Sequence, residues 1–449
     1  MKYVEFKDLV VAAAKENQIA EYELYYTESE SFSTETMMHQ IDGFSTSSDA
    51  GACFRCICDG KMGYASTELF TAEEANRIVL AAMDNAKNIE IEDEVFIHEA
   101  GDTYVELEPQ KTKEPTAEEM IKLVTDMEAK VYAKDSRVID GSQAFAAFGR
   151  ETTALCNSKG LDLSYSYDYS MAGAVAILAE DGAMYNAYKF ECGDFANFDG
   201  DQIAADAVTD AVESIGKESV ESGVYNLAIA NKTMSSLLAT FFGVFSAESA
   251  QRGLSLFNDK EGEMVAAEIV NIVDDPFCKE AYNQMPFDGE GVATYKKSVI
   301  ENGKLNTLLH SLTTANKKGI PSTGNGRKGS YASTVSVRPY NFYVEKGGAG
   351  TKEDIFAKMG NGIYITSLQG LHAGANPVTG DFSLAAEGFL IQDGEKKHVI
   401  KNFTVSGNFY ELLKKIILIG DDLKHSSPGG GCTFGSPTVL VEGLSVAGK

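Results

Sequence analysis

The sequence predicts an α+β protein built from three domains. They are an N-terminal α/β domain over residues 1–105, a middle α+β meander domain over 106–221, and a large, mostly β C-terminal domain over 222–449. Three observations lead there. At 449 residues the chain is too long for one hydrophobic core. Two similar helix-start signals, Thr71-Ala72-Glu73-Glu74 and Thr116-Ala117-Glu118-Glu119, each lie beside strand-like segments. Past Val224 the pattern turns to hairpins with asparagine-glycine and aspartate-glycine turns.

In chain order, Phe6 to Asn17 reads as an amphipathic helix. Tyr22 to Thr27, Ser31 to Gln40, Gly51 to Asp59 and Gly63 to Ser66 read as strands, with Asp59-Gly60 as a turn. The helix opened at Thr71 runs to about Asn88. Acidic residues from Glu90 to Glu94 and near Glu106 mark a boundary. The helix opened at Thr116 runs to about Lys134. Arg137 to Phe148, Glu151 to Cys156, Leu161 to Tyr169, Ala172 to Ala179 and Met184 to Cys192 then alternate like strands, and a helix from Gln202 to Ile215 closes the segment. Lys217 to Gly223 is a polar connector. In the last domain, Glu301-Asn302-Gly303 and Asp393-Gly394 turn two hairpins. Helices are expected at Leu312 to Lys318, Lys352 to Lys358 and Phe409 to Ile417, and a final strand begins at Thr438.

The formal net charge of −27 argues against nucleic acid or an anionic membrane as a partner, because both present phosphate. It favours solubility and, weakly, basic peptides. The amino terminus lacks a signal-peptide core, and no run approaches the ~18 apolar residues of a membrane span. Seven cysteines are an odd count with no even disulfide framework. A cytoplasmic protein with reduced thiols is expected.

Phe241 to Pro276 is the stretch with most to say about chemistry. Leu237, Leu238, Phe241, Phe242 and Phe245 give an apolar helical face. The next turn, Ser246 to Gln251, is more polar, and the helix is expected to end at Arg252-Gly253. Glu268 to Val273 alternates like a strand, stopped by Asp274-Asp275-Pro276. This stretch resembles the TldD/PmbA family, also called modulators of DNA gyrase, whose members are subunits of cytoplasmic metallopeptidases. In the family's TldD-type subunits this helix carries His-Glu-x-x-x-His, completed by a cysteine near the C-terminus. Two imidazoles there face one metal, and a carboxylate moves the proton of its bound water. Here the helix has no histidine, and only Glu248 matches the carboxylate. The chain therefore resembles the TldE/PmbA type, whose members lack the zinc motif.

Other stretches carry the resemblance further. Pro321-Ser322-Thr323-Gly324-Asn325-Gly326-Arg327 matches a family run near the peptide cleft, which implies that Asn325 and Arg327 bind a backbone carbonyl or a terminal carboxylate. Read without the family, the run is equally a tight loop or an anion cradle, and it lacks a P-loop ending. Leu368 to Ser383 resembles the family's third-domain signature, ending in Thr379-Gly380-Asp381-Phe382-Ser383, with His372 in a glycine-rich loop. A lone histidine is more often structural than a ligand, and His310, His398 and His425 share no spacing with it. Cys432, in Ser427-Pro428-Gly429-Gly430-Gly431-Cys432, lies where TldD-type subunits place their cysteine. Without the histidines it reads as an exposed thiol. Cys53, Cys56 and Cys58 lie on a strand with Cys56 and Cys58 on one face, so buried packing is preferred to zinc. Arg55 within that run reads as a fold residue.

The resemblance implies a subunit without zinc of its own, paired with a zinc-bearing TldD-type subunit, or a homodimer, around an extended peptide. The peptide would add as a strand to a sheet edge of the third domain. Asn325, Arg327, His372 and Glu248 are the candidate substrate-binding residues; no catalytic or metal-ligating residue is assigned in this chain. Two other readings are a peptide-binding homodimeric scaffold and an independent peptidase using Glu248, His372 and Cys432.

Overall fold

A six-stranded antiparallel sheet carries the first half of the chain. The computed structural model describes residues 1–90, 93–108, 111–216, 218–281, 284–426 and 431–449. The sheet runs β3 (Lys61–Thr67), β2 (Gln40–Cys58), β1 (Glu21–Met37), β4 (Gln143–Asn157), β5 (Asp162–Glu180) and β6 (Ala183–Gly193). Strands expected as pairs prove continuous: Tyr22 to Thr27 and Ser31 to Gln40 merge into β1. Polar Glu28-Ser29-Glu30 suggests a break, yet β2 and β4 hydrogen-bond the backbone from both sides there. The same holds for β4 and β5. Met38 and His39, both in left-handed geometry, turn β1 into β2.

Side chains on the sheet alternate between two faces. One face carries Leu24, Tyr26 and Phe54 and packs on α1 (Tyr3–Glu16) and α2 (Ala72–Lys87). Further along the same face, Ala144, Ala174 and Leu178 pack on α3 (Ala117–Lys134) and α4 (Gly200–Glu213). Both start signals hold: Thr71 accepts the Glu74 amide, and Thr116 forms a capping box with Glu119. The N-terminal and middle segments therefore share one sheet. Lys217 of the expected connector, and residues 91 and 92 of the acidic boundary, lie outside the described residues.

In the C-terminal half, the order is β7 (Gly223–Ile229), α5 (Asn231–Phe241), α6 (Ala247–Gln251), β8 (Ile272–Asp274), β9 (Lys297–Glu301) and β10 (Lys304–Leu305). Next come α7 (Leu312–Lys318), β11 (Gly326–Lys328), β12 (Val335–Val337), β13 (Asn341–Val344), α8 (Lys352–Met359), β14 (Gly362–Gln369) and α9 (Leu371–Gly374). The chain ends with β15 (Asp381–Gln392), β16 (Glu395–Asn408), α10 (Phe409–Lys414), β17 (Ile416–Ile419), β18 (Lys424–His425), β19 (Thr433–Ser436) and β20 (Val439–Ala447). One sheet runs β16-β15-β14-β7-β20-β17, and β16 also pairs with β20, so five of its strands close into a ring. A second sheet runs β10-β9-β8-β13-β19-β18 and ends on strands of two residues. The free edges of the third domain are short: β10 and β18 of two residues, β17 of four, and the separate two-stranded sheet of β11 and β12.

The expected hairpins form, with Asn302-Gly303 and Asp393-Gly394 in left-handed geometry at their turns. The helix expected through Arg252 does not run unbroken. It stops at Phe241, passes through a tighter turn at Phe242–Phe245, and restarts at α6, where Ser246 accepts the Ser249 amide. The break lets Phe241 stack on Phe409 at 4.7 Å while Phe245 meets Phe342 at 5.1 Å. The strand expected from Glu268 shortens to β8. No helix among the described residues is long and apolar enough to cross a membrane.

The C-terminal half docks on the sheet face that the helices leave open. Tyr331 lies over Gly51 of β2, where an added Cβ would sit 2.4 Å from its ring, and its hydroxyl reaches Glu68. Lys317 pairs with Asp93 (2.7 Å), and Tyr104 donates to the Gly291 carbonyl (2.8 Å).

Candidate functional site

Between that open sheet face and the C-terminal half lies a cavity of about 500 Å³. Its floor comes from β1, β4 and β5. The register aligns Ser29 with Glu151 and Glu151 with Tyr167, so these three side chains stand abreast across three strands. Tyr167 donates its hydroxyl to Glu151 Oε2 at 2.6 Å. Its roof comes from Met285–Gly289, Arg327–Ser330 and Tyr340. Tyr25, Tyr167, Tyr169, Phe287 and Tyr340 make it strongly aromatic.

Backbone packing sets the roof. Asp288 accepts the amides of Glu290 (2.8 Å), Val292 (3.0 Å) and Gly326 (2.9 Å), tying two loops together. Burial and the neighbouring Glu290 push its carboxyl up, against these three donors. Position 326 admits only glycine, since a Cβ would lie 2.1 Å from Glu290 Oε2. Arg327 donates to the carbonyls of Pro339 (2.7 Å) and Gly431 (2.6 Å) and lies over the Tyr340 ring at 4.1 Å. Lys328 places its buried Nζ over Tyr25 at 4.5 Å, and burial lowers its pKa.

A second cavity of about 220 Å³ lies beside α6 and the start of α7. Glu248, Arg252, Arg55, Glu290 and Asp93 line it. Glu248 pairs with Arg252 at 2.9 Å and accepts the Val337 amide at 3.3 Å. Behind its wall, Arg55 pairs with Glu23 at 2.7 Å and lies 3.9 Å from Glu290, all three buried. Arg55 thus holds the fold, as its sequence context suggested. Glu290 also accepts the Leu312 amide at 2.8 Å, at the first turn of α7.

The four candidate residues do not converge. Arg327 lines the larger cavity and Glu248 the smaller. Asn325 is fully buried beneath the roof; its amide nitrogen donates to Asp274 (2.7 Å) and the Arg338 carbonyl (3.0 Å), and its oxygen accepts from Thr323 (2.8 Å). A ligand contact there would have to break these bonds. His372 stands exposed on α9 and lines neither cavity. Cys432 is buried rather than exposed, at 3% accessibility, with Sγ 3.1 Å from the Pro339 carbonyl and 3.6 Å from Arg327. The roof of Arg327 closes over it. Ser427–Gly430 of its glycine run lie outside the described residues.

These residues do not fit zinc. The α6 carboxylate is paired with a guanidinium, the Cys432 thiol is turned to the Pro339 carbonyl, and no imidazole among the described residues groups with them. No three His, Cys, Asp or Glu side chains among the described residues come together as a metal site. Sequence reasoning missed the cavity floor. Its one local signal is Tyr165, Tyr167 and Tyr169, three tyrosines at every second residue of a strand and hence on one face.

A shared sheet roofed by a ring-closing β half, with an aromatic cavity between them, marks a chain built around a binding cleft. The chain belongs to the TldD/PmbA metallopeptidase family. Models described as PmbA/TldA metallopeptidase C-terminal domain, central domain and domain 1 match residues 222–448, 110–215 and 22–86. An uncharacterized protein of Methanocaldococcus jannaschii is 30% identical over 414 residues, covering 89% of this chain and 92% of its own. The metalloprotease PmbA homolog of Haemophilus influenzae is 24% identical over 442 residues, covering 96% and 93%. Among solved structures, a Thermotoga maritima protein bearing the name modulator of a DNA gyrase superposes with a TM-score of 0.90 at 31% identity, covering 99% of this chain and 100% of that one. TldE from Thermococcus kodakarensis has the same fold, with a TM-score of 0.89 at 24% identity over 98% and 99%.

Proposed function

We propose that this chain is the TldE/PmbA-type subunit of a cytoplasmic metallopeptidase complex that degrades unfolded or extended peptides. It pairs with a TldD-type subunit that holds the zinc, and contributes a wall of the peptide cleft. The observation that carries this reading is α6: the helix presents Glu248 without an imidazole, and Arg252 occupies that carboxylate. Hydrolytic power then comes from the partner, where a metal lowers the pKa of a bound water. This chain's own part is binding. The aromatic cavity between sheet and roof has the size and lining of a site for a few peptide residues.

The test mixes the purified chain with a TldD-type subunit and follows cleavage of an unstructured peptide, with zinc measured on each component. Cleavage is expected only in the mixture, with zinc on the partner. Near-stoichiometric zinc on this chain, with cleavage by it alone, would reject the reading.

A further inference from the structure

We infer that the floor of the larger cavity, at Glu151 beside Tyr167 and Tyr169, is a subsite for a cationic group of the bound peptide. The group is an alkylammonium or guanidinium. The inference rests on the peptide-cleft reading and names the side-chain chemistry that the cleft selects.

Four observations carry it. Glu151 is half-buried on the cavity floor, and the Tyr167 hydroxyl bonds its Oε2, which fixes the carboxylate and leaves Oε1 for a ligand. No lysine, arginine or histidine among the described residues pairs with it. Its chain neighbour Arg150 points to the other face, to Asp168 at 2.7 Å and Glu114 at 3.6 Å. Third, the cavity's own cations are engaged on the opposite wall, Arg327 by two carbonyls and the Tyr340 ring, Lys328 over Tyr25. The roof repels an incoming cation and the floor attracts it. Fourth, Tyr167 and Tyr169 line the cavity with the carboxylate, and aromatic side chains beside an anion suit an ammonium group. Burial and Glu151 raise the Tyr167 hydroxyl pKa far above neutrality, so it stays a donor. The acidity of the whole chain, −27, adds long-range attraction.

The test measures binding of labelled, N-acetylated decapeptides to the full chain by fluorescence anisotropy. The peptides differ only in a central Lys, Arg, Gln or Glu; one further arm has Gln and a free amino terminus. Lys and Arg peptides are expected to bind at least about tenfold tighter than Gln, because a charge-assisted bond in a partly enclosed site outweighs a neutral one. Glu151→Gln keeps an acceptor for Tyr167 and should bring that ratio within about twofold, with the Gln peptide unchanged. Tightening in the free-terminus arm alone assigns the subsite to a terminal ammonium. A Lys-to-Gln ratio near one, or a ratio untouched by Glu151→Gln, overturns the inference and leaves the cleft reading standing. Failure of every peptide to bind overturns both.

Discussion

The two cavities flank one buried ion cluster and differ in what they leave unmatched. In the smaller one, Glu248 meets Arg252 and Asp93 meets Lys317, so its charges answer one another within the chain. In the larger one, Glu151 has no cation among the described residues, and tyrosine and phenylalanine side chains line the cavity with it. The stretch most similar to a catalytic helix therefore faces the internally satisfied cavity. The floor of the cavity with open valence is built from strands that carry no motif. Family likeness reaches the roof of the binding cavity, through Arg327, but not its floor.

The sharpest way to break that contrast is through the ion cluster between the cavities. Arg55 is 2% exposed and faces Glu23 and Glu290. Arg55→Met leaves two buried carboxylates without their cation and should cost about 3–5 kcal/mol, read as an early first transition in urea. Adding Glu23→Gln should recover part of the loss. Full stability in the single variant would show that the cluster does not hold sheet and roof together.

Acid should act next, beneath the roof of the larger cavity. His310 is fully buried, and its backbone anchors Ser322, Thr323 and Asn325, the loop that leads to Arg327. Burial, with Lys318 adding repulsion, pulls its imidazole down to about 4 from an ordinary 6.5. Between those values the unfolded chain binds a proton that the folded chain does not. Stability is thus complete above about pH 6.5 and falls as the pH drops towards 4, by roughly 3 kcal/mol in all. His310→Leu should flatten that part of the pH–stability curve in urea titrations. An unchanged slope would place the acid sensitivity elsewhere.

Part of this architecture is legible in the sequence. Thr71 and Thr116 announce helices through local bonds to residues three positions on, and Asn302-Gly303 and Asp393-Gly394 announce turns through backbone geometry. What decides β1 is not local: its polar centre at Glu28-Ser29-Glu30 stays a strand because two neighbours hold its backbone. The break at Ser246 likewise comes from aromatic packing with Phe409 and Phe342, over 90 residues away in sequence. Arg327 was found through likeness to a family, and it does line the cavity. Glu151 was not, because its meaning arises only when Tyr167, Ser29 and the roof converge on it. The buried state of Cys432 was also illegible, since the group that covers it, Arg327, lies 105 residues earlier.

The smallest expected effect sharpens the comparison most. Glu248 is what survives of the helix motif on α6, so a cleft organised around α6 would depend on it. Its pair with Arg252 is substantially exposed, 31% and 69% for the two side chains, and such pairs are worth under about 1 kcal/mol. Its bond to the Val337 amide is long, at 3.3 Å. Glu248→Ala should therefore lower stability by less than about 1 kcal/mol and leave peptide affinity within about twofold, since the aromatic cavity is lined by other residues. Anisotropy with the lysine decapeptide checks this directly. A large loss of affinity at wild-type stability would move the binding site to α6 and make the smaller cavity the functional one.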